Sequence, residues 1–111
     1  MGKSIKVGDV VICKFPFDDK PGKIKVRPAV VIDINARGLV VLVLKVTSRP
    51  PKNKYDYELA NWDLAGLHKE STVRSNKEEL ILRNDIAKRI GSLTTKDFEN
   101  VRTLYCESCK G

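Results

Sequence analysis

Apolar residues dominate three segments in the first half of the chain and predict three β-strands. Residues 7–15 show a mixed alternation, while residues 27–34 and 39–46 are rich in Val, Ile and Leu with few polar positions. Strands of this kind are covered by protein on both faces, so we expect the second and third to lie inside a sheet. Residues 35–38, Asn-Ala-Arg-Gly, predict an antiparallel hairpin between them.

Two proline-containing loops interrupt this half. Residues 18–23, Asp-Asp-Lys-Pro-Gly-Lys, carry strong turn chemistry between the first two strands. Residues 47–53 cannot continue a sheet, because their two successive prolines remove two ladder donors. Three consecutive antiparallel strands with a long loop between the first two are typical of the start of an SH3-like barrel.

The second half holds shorter and less regular elements. The pattern predicts a helical turn around Trp62, an ambiguous apolar segment at 80–86, and short strands at 55–59, 71–74 and 88–93. Gly91 inside the last of these strands indicates a bulge or a close backbone approach.

The C-terminal segment predicts an amphipathic helix. Thr94 and Asp97 resemble a capping box, with Leu93 and Phe98 at the positions of a hydrophobic staple. The apolar residues that repeat at helical spacing are Phe98, Val101, Leu104 and Tyr105. The predicted fold is therefore mainly β with α, a small SH3-like antiparallel barrel with a C-terminal helix. We expect one domain, residues 1–105, followed by a tail at 106–111.

Composition narrows the choice of partners. The 111 residues include 21 Lys and Arg against 14 Asp and Glu, a formal net charge of +7 and a pI near 9.5. This balance favours a polyanion, an acidic protein segment or an anionic surface, although many small proteins are equally basic without such a partner. The longest apolar stretch, 39–44, is far shorter than a membrane span, and the N-terminal residues lack a signal-like apolar region. We expect no membrane association and a cytoplasmic location with reduced thiols.

The positive charges are concentrated in three segments that flank predicted strands. If these segments meet at one end of a small barrel, they form a single basic patch. Its members are Lys20, Lys23, Lys25 and Arg27, then Arg49, Lys52 and Lys54, and finally Lys69, Arg74 and Lys77.

Several kinds of catalytic site are poorly supported. His68 is the one histidine, so no histidine pair can act as general acid and base, and no serine or cysteine has a credible catalytic partner. A lone loop histidine is more often merely exposed to solvent. Cys106 and Cys109 form a C-x-x-C pair, but zinc sites want four ligands and the other candidates are distant in sequence. We predict no metal and no cofactor.

RNA cleavage remains compatible with these limits, because the substrate supplies its own nucleophile in the 2′-hydroxyl. Pro28 restricts the residue before it to extended conformations, so we expect Arg27 to be held at a fixed angle where its strand begins. A guanidinium stays protonated and presents forked donors to two phosphate oxygens. From the residues alone, the more common role of such an arginine is a sheet-edge salt bridge to an acid such as Asp18 or Asp19.

A series of short motifs matches a known family over nearly the whole chain. They are Val-Gly-Asp-Val-Val at 7–11, Phe-Pro-Phe at 15–17, Arg-Pro-Ala-Val-Val at 27–31, Val-Thr-Ser at 46–48, Ala-Gly-Leu at 65–67, Ser-Thr-Val-Arg at 71–74 and Ile-Gly-Ser-Leu at 90–93. In this order and spacing the sequence resembles the MazF/PemK-type toxins of type II toxin–antitoxin modules.

The resemblance implies a CcdB/PemK-like barrel, a homodimer, and a metal-independent endoribonuclease that cuts single-stranded RNA at short sequences. Its products would be a cyclic phosphate and a 5′-hydroxyl, and translation would be inhibited. By position, the catalytic residues of the family fall on Arg27 and Thr47, with Ser48 assisting. Arg74 matches an arginine of the plasmid-borne branch, but Asn76 replaces the aspartate of that branch, so the arginine–threonine mechanism is the better match.

The expected partners are RNA and an acidic antitoxin that competes for the same groove. We expect the RNA-binding residues to be Lys20, Lys23, Lys25, Ser48, Arg49, Arg74 and Asn76. Two other functions stay open at this point. One is a barrel that binds RNA without cutting it, and the other is a gyrase inhibitor, which would need a Trp-Gly-like tail that this C-terminus lacks.

Overall fold

A computed structural model describes residues 4–16, 24–35 and 37–110, which form an antiparallel six-stranded sheet and a C-terminal helix. The sheet order is β4-β5-β3-β2-β1-β6, and a 3₁₀ turn at Arg83–Asp85 joins the last two strands of the chain. The strands are β1 (Asp9–Pro16), β2 (Ile24–Ile34), β3 (Val40–Thr47), β4 (Asp56–Glu58), β5 (Thr72–Leu82) and β6 (Ile86–Ser92), and the helix is α1 (Thr95–Lys110). The predicted class, mainly β with a C-terminal helix, is confirmed.

The two central strands are buried on both faces, as their composition predicts. In β2, Val30 belongs to one apolar cluster and Val31 to a second, and Leu44 and Val43 divide in the same way in β3. All four side chains have no exposed surface. The cluster of Val30 and Leu44 also contains Val101, so helix α1 covers that face of the sheet. Packing on both faces fixes the positions of the ends of β2 and β3.

Strand β2 begins at Ile24, three residues earlier than predicted, so Arg27 lies within the strand rather than at its start. The ladder between β1 and β2 includes Pro28, opposite Ile12, whereas the ladder between β2 and β3 ends at the Ala29–Lys45 pair. Pro28 therefore lies where β2 has lost one of its two neighbours, a position at which a missing N–H costs no bond on that side.

Strand β5 joins two segments that the sequence pattern separates. The predicted short strand at 71–74 and part of the ambiguous segment at 80–86 belong to one strand of 11 residues. Lys45 pairs with Arg74 and Leu44 pairs with Glu78, so residues 75–77 form a bulge with no counterpart on β3. The bulge and the exposed polar residues around it hide the alternation on which a strand prediction depends.

Helix α1 runs through Lys110, so Cys106 and Cys109 lie in its last turns and do not follow it. The predicted capping box is only half formed. The backbone N–H of Asp97 donates to Thr94 Oγ1 at 3.3 Å, but the Asp97 carboxylate reaches the 60–61 segment instead of returning to Thr94. No helix in the described residues combines the length and hydrophobicity that a bilayer span requires.

Gly91 marks a close backbone approach, as predicted. A Cβ added at Gly91 would lie 2.3 Å from the carbonyl oxygen of Ala65, and one added at Gly66 would lie 2.2 Å from the oxygen of Ile90. Gly66 also has a φ of +89°, which L side chains rarely adopt. The loop that follows Gly66 is therefore held directly against β6.

Candidate functional site

A cleft of about 890 Å³ opens where the β2–β3 ladder ends. Its walls come from β1, β2, β3, β5 and β6 and from the loop after Gly66. No described residue that lines the cleft is acidic. Seven of the lining residues are cationic: Lys25, Arg27, Lys45, Arg49, Lys69, Arg74 and Lys88. Such a surface attracts a polyanion.

Strand register places Arg27 and Thr47 on the same side of this opening. Ala29 and Lys45 form the last β2–β3 pair, and Arg27 and Thr47 each lie two residues beyond that pair. Because side chains alternate along a strand, each shares a face with the paired residue of its own strand. Both residues line the cleft.

The Arg27 side chain is exposed and forms no hydrogen bond or ion pair with the residues that the structure describes. Its backbone is fixed in the β1–β2 ladder opposite Cys13. The salt bridge to Asp18 or Asp19 considered above falls outside the described residues. The backbone of Arg27 is therefore fixed, while its guanidinium is not engaged by any described residue and can contact a ligand.

The hydroxyl of Thr47 has a defined role in the local backbone. Its Oγ1 accepts a hydrogen bond from the N–H of Arg49 at 3.2 Å. Because this bond uses an acceptor lone pair, the hydroxyl proton remains available for an acceptor in the cleft. The half-buried Thr47 is therefore suited to donate to a phosphate oxygen.

The other residues predicted to bind RNA divide into three groups. Lys25, Ser48, Arg49 and Arg74 line the cleft together with Arg27 and Thr47. Asn76 is exposed in the β5 bulge and is not part of the cleft wall. The predictions for Lys20 and Lys23 fall outside the described residues.

Four charged or titratable cleft residues are not among those predicted to bind RNA, although Lys69 belongs to the predicted basic patch: Lys45, His68, Lys69 and Lys88. Lys45 is the one polar residue inside the apolar β3 pattern, a signal that could have identified it. Its Nζ lies 3.3 Å from Glu79 Oε1 and 5.3 Å from the centre of the Phe15 ring. His68 is exposed, as expected for a loop histidine, but the contact of Gly66 with β6 places it at the cleft.

The described part of the chain holds no cluster of metal ligands, and its buried thiol is not activated. No group of three or more His, Cys, Asp or Glu side chains is placed to hold a metal ion there. Burial, with a smaller contribution from Asp85 and Glu79, raises the pKa of Cys13 to about 12. The Cys13 thiol is then protonated at neutral pH, and only a thiolate is a good nucleophile.

We expect the three cysteines to differ in reactivity. At pH 8 in the folded protein, iodoacetamide should modify the exposed Cys106 and Cys109 and leave the buried Cys13 intact. Mass spectrometry should show two modifications per chain without denaturant and three in guanidinium chloride. Rapid modification of Cys13 in the folded protein would contradict its burial and its raised pKa.

Comparisons with known proteins bear on the fold and family. The sequence model of PemK-like, MazF-like toxins of type II toxin–antitoxin systems matches residues 6–108. No curated protein sequence matches the chain. An endoribonuclease from Mycobacterial species has a similar structure, with a TM-score of 0.77 and 14% identity over 98% of this chain and 94% of that one.

Two further solved structures share this fold. An endoribonuclease in complex with its cognate antitoxin, also from Mycobacterial species, has a TM-score of 0.76 and 15% identity over 96% of each chain. MazF from Deinococcus radiodurans has a TM-score of 0.74 and 19% identity over 96% of this chain and 97% of that one. At these identities the likeness concerns the fold.

Proposed function

Because the chain belongs to the PemK-like, MazF-like toxins of type II toxin–antitoxin systems, we propose that it is a metal-independent endoribonuclease. The substrate is single-stranded RNA, chiefly mRNA, cut at short specific sequences so that translation and growth are inhibited. The observation that carries this proposal is the position of Arg27 and Thr47 in the wall of a cleft with seven cationic lining residues. The related folds described as endoribonucleases support it.

In this reaction the 2′-oxygen of the substrate attacks the adjacent phosphorus and the bond to the 5′-oxygen breaks. The products are a 2′,3′-cyclic phosphate and a 5′-hydroxyl. Arg27 stabilises the negative charge of the phosphorane through its forked donors and delivers a proton to the leaving oxygen, which it regains from solvent. Thr47 donates a hydrogen bond to a phosphate oxygen or orients the 2′-hydroxyl, whose proton passes to solvent.

The remaining cleft residues bind the RNA backbone. Lys25, Arg49 and Arg74 contact phosphates, which positions the strand without reading its sequence. Ser48, exposed beside Thr47, assists in holding the scissile phosphate. Neutralisation of several phosphates makes RNA affinity fall steeply with salt.

An acidic antitoxin segment is the second partner that this cleft fits. Its carboxylates would occupy the cationic positions that phosphates otherwise fill, so that antitoxin and RNA compete. A solved protein of the same fold is bound to its cognate antitoxin, which supports this assignment. We further propose that the toxin acts in the cytoplasm as a homodimer.

The test is a cleavage assay on a long single-stranded RNA in the presence of EDTA, with the new ends mapped. We expect cuts at recurring sequences that end in cyclic phosphate and 5′-hydroxyl. Binding of the RNA without any cut by the folded protein would instead establish a non-catalytic RNA-binding barrel. Inhibition of gyrase without RNA cleavage would overturn the proposal in favour of the third function.

A further inference from the structure

The buried carboxylate of Asp56 lies next to Arg74, one of the arginines that line the cleft. Asp56 lies on the edge strand β4, and its side chain is 2% exposed. Asp56 Oδ2 accepts a hydrogen bond from the N–H of Lys52 at 2.9 Å. Asp56 Oδ1 is also buried but has no hydrogen-bond partner among the residues that the structure describes. A buried carboxylate oxygen without a partner is costly unless a cation lies close to it.

Arg74 supplies that cation. Asp56 and Arg74 are directly paired across the β4–β5 ladder, so their side chains share a face of the sheet. Arg74 Nε lies 4.0 Å from Asp56 Oδ1, while the Arg74 side chain remains one-third exposed and lines the cleft. This distance is too long for a hydrogen bond but short enough for strong attraction between a buried charge and a half-buried one.

We propose that Asp56 is a positioning residue that orients the Arg74 guanidinium toward an RNA phosphate in the cleft. Its carboxylate attracts the Nε side of the guanidinium and leaves the terminal nitrogens for the ligand. The inference rests on the proposed function only in taking RNA as the ligand, since it concerns binding and not cleavage.

This role and simple electrostatics predict opposite effects for Asp56→Asn. The substitution removes a negative charge next to a cationic cleft, which by charge alone should tighten RNA binding. If Asp56 orients Arg74, the same substitution weakens binding, because the guanidinium loses its fixed direction. Asparagine keeps a side-chain oxygen for the N–H of Lys52, so the local turn is retained.

The experiment measures binding of a fluorescent, mixed-sequence 2′-O-methyl RNA, which lacks the 2′-hydroxyl that cleavage requires. We expect Asp56→Asn to raise the dissociation constant by about tenfold, the effect of losing one charge-assisted contact. The slope of log affinity against log salt should decrease by about 0.7, the value for one phosphate contact with a single strand. Arg74→Ala should have the same effect, and the double variant should be no weaker than Arg74→Ala alone.

Glu58→Gln is the matched control, because Glu58 lies on the same short strand, is exposed and changes charge by the same amount. We expect its binding to be unchanged or slightly tighter. Arg74→Lys provides a second variant that keeps the charge but loses the fork, and we expect it to bind about as weakly as Arg74→Ala. Thermal melts establish that each variant is folded at the assay temperature.

Unchanged or tighter binding by folded Asp56→Asn would overturn the proposal, as would additive effects in the double variant or wild-type binding by Arg74→Lys. A wild-type protein that fails to bind the RNA would overturn it too. The proposed cleavage has a separate readout. A wild type that binds the 2′-O-methyl RNA but cuts no natural RNA would refute cleavage and leave the role of Asp56 standing.

Discussion

Arg27→Ala should reduce RNA cleavage by about 10²–10³-fold, the usual effect of removing one preorganised donor to a developing negative charge. The side chain is exposed and has no partner among the described residues, so its loss should leave the fold intact. The backbone of Arg27 is part of the β1–β2 ladder, and the substitution keeps these backbone hydrogen bonds. We therefore expect a folded protein that still binds RNA but cuts it very slowly.

The measurement is the rate of cleavage of a saturating RNA concentration, with unfolding followed in parallel. Arg102→Ala is the matched control, because Arg102 is an exposed arginine on α1 outside the cleft and its loss changes the net charge equally. Arg27→Lys should remain strongly impaired, since an ammonium cannot offer the forked donors of a guanidinium. Cleavage at wild-type rates by Arg27→Ala would remove this residue from the catalytic machinery.

Asp97→Ala should have the largest effect on stability. The Asp97 side chain is completely buried, and its carboxylate accepts hydrogen bonds from Tyr57 Oη at 2.7 Å, Ala60 N at 3.2 Å and Asn61 N at 2.9 Å. Burial, followed by the hydrogen bond to Asp97, raises the pKa of Tyr57, so this hydroxyl is a protonated donor at neutral pH. One carboxylate therefore ties α1 to β4 and to the turn that follows it.

We expect Asp97→Ala to lower the free energy of unfolding by about 3–5 kcal/mol, because it removes the charged acceptor of three hydrogen bonds, two of them from half-buried residues. The melting temperature should fall by more than about 10 °C. Urea unfolding with an unchanged m value would show that stability, and not the compactness of either state, has changed.

Two variants serve as controls for Asp97→Ala. Glu99→Ala removes an exposed carboxylate from the same helix and should change the free energy by less than about 0.5 kcal/mol. Tyr57→Phe removes one of the three donors and should cost about 1 kcal/mol. If Asp97→Ala is as stable as Glu99→Ala, the three hydrogen bonds do not support the fold as argued.

Local patterns along the chain determined much of the architecture. The apolar runs of β2 and β3, the glycine-ended hairpin between them and the helical spacing of α1 each depend on residues close in sequence. The spacing of apolar residues predicts which face of a strand or helix is buried, because side chains return to the same face at a fixed interval. Pro28 singled out Arg27, and the family resemblance pointed to Thr47; the structure brings both to one cleft, although their catalytic roles remain predictions.

Only the tertiary structure decided which distant residues meet. Asp97 resembled a local helix cap, yet its carboxylate bonds a tyrosine 40 residues away. The sequence predicts Arg74 only as an RNA contact, whereas the pairing of β4 with β5 places Asp56 opposite it. His68 lies at the cleft because the backbone at Gly66 contacts β6. Each of these contacts depends on strand order and register, which arise when the whole core packs. A pattern within one segment carries no information about the segment that will lie beside it.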